Sequence, residues 1–502
     1  MSDPLALAAV DLGAESGRVV LGRFDGECVD LEVVHRFVNA PVWFPDGLHW
    51  NLPTLFTQAL DGLGTAAASG HLDGIGIDAW GCDYALLDAA GRMLGQPFCY
   101  RDERTSDAVI ARAHARVSRT ELYARTGIQT MPINTVYQLA AEAPGGATTI
   151  AERIALIPDL FGQWLTGTLV NELTVASTTG LLEARGRKWA VDLIRRLGLP
   201  ERPFTDLTVA PGVEVGSVLA RHADLAGSAA GTTVRTVAGH DTACAFVAAP
   251  IGGEHAAVLS SGTWSLLGLE LDEPELGAAA AGANLTNERG VGDTIRLLRN
   301  VMGLWLVQEC RRAWRARGFD RDYDELHALA AAARPDVPLF DPDDDSLLHA
   351  GDMPARIEAL CTAAGQSPPG GDGELLRAIL VSLACKYRLV LEQLQNVTGR
   401  RIDTVHVVGG GARNLLLCQL TADALQREVL AGPVEATAMG NVLVQALATG
   451  ELSDVVQARQ VVTRSVSLRR FEPGPAGPAQ ATYERFLTAA GSTGDTPVAA
   501  PA

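Results

Sequence analysis

The chain has 502 residues, 47% of them hydrophobic and 20% charged. That is the balance of a globular protein, and the length calls for two domains of about 200–250 residues each. A formal charge of −18 excludes a general binder of nucleic acid or of anionic membranes, both of which need a basic face, and leaves room only for a local basic pocket.

The opening stretch MSDPLALAAV has no basic region ahead of its apolar residues and reads as a first strand, not as a signal peptide. Residues 6 to 24 read as strand, Gly-rich turn, strand. The turn, Gly13 to Gly17, is either a plain hairpin or one whose small residues let backbone amides approach phosphate oxygens. Asp11 closes the first strand where an apolar residue is expected; a buried carboxylate there needs a partner, and a hydrated Mg²⁺ is one. Residues 74 to 88 give a strand ending in Asp78, then Trp80-Gly81, then a second strand. Trp80 is either ordinary core or, beside Gly81 and Asp83, the apolar face and polar groups that hold a sugar. YRDERT, residues 100 to 105, reads most simply as a solvated turn, with a charged pair lining a polar pocket as the sharper option. Helices are expected over TELYARTG, INTVYQLAAEAP, ALIPDLFGQWLTGTLV and KWAVDLIRRLGLP, the second started by Asn134 or Thr135. In VAGHDTACAF, Val237 to Phe246, a strand meets an apolar helix at His240, Asp241 and Thr242. Asp241 there is either a helix cap or a carboxylate placed to accept a proton.

After AAPIGGEH, a glycine-bearing joint between domains, the strand–turn–strand pattern returns near residue 256, with Ser260, Ser261, Gly262 and Thr263 at the bend. Two such hairpins, each opening one domain, suggest a duplicated architecture able to grip a polyphosphate from both sides. Residues 295 to 316 carry apolar residues at helical spacing, with Asn300 and Gln308 as polar exceptions that a ligand could satisfy. DPDDDS, residues 341 to 346, is an acidic turn without the glycine and distal glutamate of a calcium loop. A helix over 374 to 397 precedes a strand, Gly409-Gly410-Gly411 and a helix, an arrangement that allows close backbone approach to a flat or charged ligand. Another helix starts at Ala438. The Pro/Ala-rich tail after Arg470 reads as partly disordered.

No apolar run spans a membrane before Arg, Asp, Gly or Pro interrupts it. The eight cysteines are scattered without a CxxC pair or a zinc spacing, as reduced thiols of a cytoplasmic protein would be. The 41 basic residues include only two lysines, Lys188 and Lys386. Neither sits in a P-loop or in a VAIK-like strand, and no GxGxxG follows a strand, so an ATP site here would belong to none of those classes.

Together AVDLGAESGRV, GIDAWGCDYALLD, YRDERT, NTVYQL, GHDTACA, LSSGTWSLLG, NVMGLWLVQE, VVGGGARN and AGPVEATAMGN, in that order from about residue 6 to about residue 470, resemble the FGGY carbohydrate kinases. The resemblance implies an α/β fold of two actin-like (ribonuclease H-like) domains with a cleft between them. Residues 1–250 would bring the sugar site and the first phosphate hairpin, 251–470 nucleotide binding, and 471–502 the tail. It implies ATP and Mg²⁺ as cofactors, a small-molecule sugar as partner, and neither nucleic acid nor membrane. By resemblance Ala14, Glu15, Ser16, Gly17 and Arg18 form the first phosphate-binding turn, and Thr263, Gln308, Gly410 and Gly411 are further ATP contacts. Gly81, His240, Thr242 and Asn300 meet the sugar, Asp241 is the base, and Asp11 holds Mg²⁺ through water. Glu15 opposes an anion unless it points away or meets a cation. The motifs most resemble members acting on L-rhamnulose; fuculose, xylulose, ribulose or glycerol are alternatives, and an actin-like ATP-binding regulator without sugar chemistry is the alternative of another class.

Overall fold

The structure, a computed structural model, describes residues 4–142, 146–204 and 208–491. Its first half is built on a six-stranded sheet in the order Val29–Val38, Ser16–Phe24, Leu5–Leu12, Gly74–Ala79, Thr233–His240, Glu214–Ser217. Leu5–Leu12 pairs antiparallel with Ser16–Phe24 and parallel with Gly74–Ala79, which lies parallel to Thr233–His240. Residues 7–12 are buried on both faces, which is why this stretch reads as a continuous apolar run and not as an alternating one.

The second half repeats the plan. Its order is Thr286–Arg289, Ile295–Met302, Trp264–Leu271, Ala256–Ser261, Thr404–Val408, Glu428–Ala431, Arg469–Phe471. Ala256–Ser261 pairs antiparallel with Trp264–Leu271 and parallel with Thr404–Val408, which runs parallel to Glu428–Ala431. Apart from the extra edge strand Thr286–Arg289, the two sheets correspond strand for strand, so the duplication read from the two hairpins extends to whole sheets. The architecture is the expected pair of α/β domains.

Two helices join the halves. Asp241–Val247 follows the fifth strand position of the first sheet, and Ala436–Ala448 follows Glu428–Ala431 of the second. They cross closely at Gly440, where an added Cβ would lie 1.9 Å from the Cys244 carbonyl oxygen. From the second helix Asn441 Nδ2 donates to Asp78 Oδ2 at 2.7 Å, and Gln445 Nε2 to the Ala8 carbonyl at 3.1 Å.

Residues 295 to 316 are not one helix. Ile295–Met302 is a strand and Trp305–Ala316 a helix. Antiparallel pairing with Trp264–Leu271 over eight residues captures the first segment, since a short apolar run fits either period and tertiary pairing decides. YRDERT is not a solvated turn either. Arg101 is 7% exposed, donates to the Leu348 carbonyl and lies 3.6 Å over the Trp305 ring, while Asp102 accepts from the Leu48 amide. The segment ties the two halves together. In the tail, Ala476–Ala489 is a helix that buries Tyr483 and Phe486; residues 492–502, where disorder was expected, lie outside the described residues. Among the described residues no helix is long and apolar enough to cross a membrane.

Candidate active site

The parallel strands of both sheets end at one cavity of about 610 Å³, as ligand sites of open α/β sheets do. Asp11, Trp80 and His240 come from the ends of three strands of the first sheet, and Ser261, Gly409 and Glu435 from the corresponding ends in the second. Of the residues that the resemblance assigns to the sugar, the nucleotide, the base or the metal, only Gly17 does not line it. Gly17 packs against the Phe37 ring, where a Cβ would come within 2.2 Å. The missing side chain at Gly17 leaves room for this aromatic neighbour beside the turn.

His240 ends its strand and occupies the helix N-cap position, so Asp241 is the first helical residue and not the cap. Asp241 Oδ1 accepts from its neighbour's amide, Thr242 N, at 2.5 Å and from Thr242 Oγ1 at 3.1 Å, with His240 Nε2 3.4 Å away. Among the described residues Oδ2 accepts no hydrogen bond, and the side chain is 29% exposed at the cavity. A carboxylate oriented through one oxygen keeps the other for a proton from a bound molecule. The strand end is fixed from behind. Glu172 Oε2 accepts from the Gly239 amide at 2.9 Å and from Thr174 Oγ1, and that hydroxyl receives the His240 amide at 3.2 Å.

The first hairpin turns tightly at Gly13–Ser16, closed by Gly13 N to the Ser16 carbonyl at 3.1 Å and held by Asn39. Among the described residues the amides of Ala14 and Glu15 donate to no protein acceptor, which leaves them for an anion. Glu15 meets a cation: its Oε2 lies 2.5 Å from Arg312 of the other half. Burial pushes its pKa up, against the opposing charge of Arg312. Arg18 is spoken for by Asp11 at 2.8 Å and Glu435 at 2.6 Å.

In the second half the turn at Gly262–Trp264 receives the Leu304 and Trp305 amides at the start of helix Trp305–Ala316. The buried Gln308 Oε1 has no hydrogen-bond partner and lines the cavity, as a ligand contact would. Gly411 backs onto Ser261, where a Cβ would lie 2.0 Å from the hydroxyl oxygen, while nothing stands within 4 Å of Gly410. Only one of the two glycines therefore faces open space; the other lets two loops touch.

Trp80 lines the cavity while being 5% exposed. Asp83 points away from it, fully buried, taking Trp50 Nε1 at 2.5 Å, Trp80 Nε1 at 2.9 Å, the Tyr100 amide and Gln138. Burial pushes it up to about 6. Asp83 thus holds the tryptophan and does not meet a ligand. Sequence reasoning missed Gln129, which accepts from the Asn300 amide and Nδ2 at 2.9 and 3.1 Å. It also missed the buried pair Glu288 and Arg296 beside His240. The one signal for the pair is a cation, Arg296, inside an apolar run.

Mg²⁺ is implied by the fold, and the donor set fits an ion held through water. Burial raises the pKa of both Asp11 and Asp78, and the neighbouring Asp241 charge raises both further. Asp78 Oδ1 is buried without a partner. Yet no three His, Cys, Asp or Glu side chains among the described residues converge to hold a metal directly.

The fold is a two-domain α/β architecture of duplicated, actin-like plan, with one cavity at the strand ends of both sheets. The chain belongs to the FGGY family of carbohydrate kinases: the family's N-terminal domain matches residues 7–248 and its C-terminal domain residues 257–449. A rhamnulokinase of Bacteroides thetaiotaomicron is 41% identical over 481 residues, 95% of this chain and 98% of that one. A rhamnulokinase of Pectobacterium carotovorum is 42% identical, with 96% and 95% covered. Among solved structures, xylulose kinase from Lactobacillus acidophilus superimposes with a TM-score of 0.77 at 16% identity, covering 96% of this chain and 97% of that one. Plasmodium falciparum glycerol kinase with ADP gives 0.74 at 14% identity, covering 97% of each.

Proposed function

We propose that this protein transfers the γ-phosphoryl group of ATP to L-rhamnulose, giving L-rhamnulose 1-phosphate and ADP. The observation that carries the reading is Asp241, oriented through Oδ1 and open to a cavity that two small-residue turns flank from opposite halves. Relatives named rhamnulokinase over nearly the full chain supply the sugar.

In this reading the sugar lies among Gly81, His240, Thr242 and Asn300, with its reacting hydroxyl at Asp241 Oδ2. The hydroxyl oxygen forms the new bond to Pγ, the bond from Pγ to the bridging oxygen breaks, and the proton passes to Asp241. Such a transition state is loose, so alignment and charge stabilisation supply most of the acceleration. The amides of Ala14 and Glu15 and the Thr263 hydroxyl face the phosphates; Ser16 and Arg18 complete that wall. Gln308, Gly410 and Gly411 meet the rest of the nucleotide. Asp11 would hold Mg²⁺ through water, and the ion would supply neutralisation of phosphate charge. Closure of the halves on the sugar excludes water and limits idle ATP hydrolysis. Eight unpaired cysteines, six of them buried, and the demand for ATP agree with a cytoplasmic setting.

The test is coupled ADP release with L-rhamnulose, fuculose, xylulose, ribulose and glycerol. The expected result is the highest kcat/KM on L-rhamnulose. Preference for another acceptor moves the assignment to that sugar, and sugar-independent behaviour throughout would favour an ATP-binding regulator.

A further inference from the structure

Glu288 was not marked by any motif, yet it lies in the wall of the cavity, 3% exposed. It sits on Thr286–Arg289, the edge strand that the first sheet lacks. Its Oε2 is 3.1 Å from His240 Nδ1 and 3.2 Å from the Arg296 guanidinium. The Arg296 hydrogen is directed to His240 Nδ1 instead, so Oε2 is buried and receives no well-aligned hydrogen bond. Burial pushes the Glu288 carboxyl up, but Arg296, His240 and Asn300 outweigh it and hold the group below the usual range. A carboxylate in a cavity wall has four lone-pair positions, more than an ion pair fills, and those left over are costly to bury unless a further donor arrives. Sugar hydroxyls are such donors, and the two neighbours that flank Glu288, His240 and Asn300, are the residues assigned to the sugar above.

We propose that Glu288 is a specificity-determining sugar contact, accepting a hydrogen bond from a hydroxyl of the ketose other than the one phosphorylated. Arg296, fully buried behind it, is a positioning residue that keeps the carboxylate charged and His240 oriented. The chemistry selects polyhydroxylated acceptors, because an acceptor lacking that hydroxyl leaves a buried charge unsatisfied. The inference rests on the sugar-kinase reading and narrows which groups read the sugar.

The experiment uses the full chain with Glu288→Gln, Glu288→Asp and the double variant Glu288→Gln/Arg296→Met. Sugar and ATP parameters come from coupled ADP release, folding from thermal melts, and nucleotide binding from calorimetry with ADP. The expected result is a KM for L-rhamnulose raised about 10- to 100-fold in Glu288→Gln, with the ATP KM and ADP affinity within about twofold. Glu288→Asp keeps the charge against Arg296 but withdraws the acceptor, and it should show the same sugar-only defect even if the Gln variant fails to fold. Deoxy analogues of L-rhamnulose complete the test: removing the hydroxyl that Glu288 holds costs the wild type but not the Gln variant. Restoration of the sugar KM in the double variant would mean that Glu288 only balances Arg296, and the proposal would fall. An unchanged sugar KM in both single variants would overturn it as well. Failure of the kinase reading looks different, since the wild type would then phosphorylate no sugar at all.

Discussion

At the scale of single residues, Asp241 and Asp159 show how differently two buried-edge carboxylates behave. Asp241 has one oxygen committed and one free, so replacing it with Asn keeps the shape and removes the proton acceptor. Asp241→Asn should lower kcat by at least ~10² while ADP affinity, measured by calorimetry, stays within about twofold. Turnover near the wild-type rate would remove Asp241 from the role. Asp159 lies behind the site. Its two oxygens receive the Glu172 amide at 3.1 and 3.2 Å, and Glu172 in turn holds Gly239. Burial first, and then the neighbouring Glu172 charge, raise the Asp159 pKa well above its ordinary value. The folded state therefore binds this proton more tightly than the unfolded chain, so the contribution is fully present below about pH 4 and is lost as pH rises toward the folded value. Asn at 159 mimics the protonated form at every pH. The melting temperature of Asp159→Asn relative to wild type should therefore climb between pH 5 and pH 8; a gap that stays constant over that range would contradict the raised pKa.

At the scale of elements, the close crossing of Asp241–Val247 with Ala436–Ala448 sets where the base sits. The atom that meets a Cβ at Gly440 is the Cys244 backbone oxygen, 1.9 Å away, and no rotamer change can relieve it. Gly440→Ala should gain helix propensity but force the helices apart, for a net loss of about 1–3 kcal/mol. Because Cys244 lies one helical turn beyond Asp241, kcat should fall by at least about tenfold as well. An unaltered melt and unaltered kcat would show that the crossing tolerates the methyl group. This crossing was invisible in the sequence, where GHDTACA and AMGNVLVQALATG are about 200 residues apart and each reads only as a helix. The hairpins, the triple glycine and the Asp241 corner were legible because turn chemistry is local: small residues at a bend mean the same thing wherever the chain goes. Residues 295 to 316 and YRDERT were misread for the opposite reason. An eight-residue apolar run carries no decisive period, and four charges in a row look solvated until Trp305 and the Leu348 carbonyl arrive from the other half. Glu288 shared that handicap, since its meaning depends on His240, 48 residues earlier, and on Arg296 in the next strand.

At the scale of the molecule, the proposed reaction requires a protein of charge −18 to bind a polyanion, and the phosphate turn proposed for it lies where arginines from both halves gather. Arg18 and Arg36 from the first half and Arg413 from the second surround Glu435, and Arg312 reaches across to Glu15. Arg18–Glu435 and Glu15–Arg312 therefore bridge the halves, one in each direction, around the turn assigned to the phosphates. Glu15–Arg312 is half exposed, with side chains 32% and 46% accessible, so its worth to stability is small, about 0–1 kcal/mol. Its larger effect is electrostatic: without Arg312, the Glu15 carboxylate stands unopposed beside the incoming phosphates. Arg312 also holds the buried Glu309 at 2.5 Å, so Arg312→Ala should lower the melting temperature and raise the KM for ATP several-fold at low ionic strength. The defect should shrink in roughly 0.5 M salt, where the Debye length falls to a few ångströms. Glu15→Gln added to Arg312→Ala should recover most of the lost affinity, because it removes the charge that Arg312 was masking. If the double variant binds ATP no better than Arg312→Ala alone, Arg312 acts on the nucleotide directly and the bridge across the cleft is not what protects the phosphate turn.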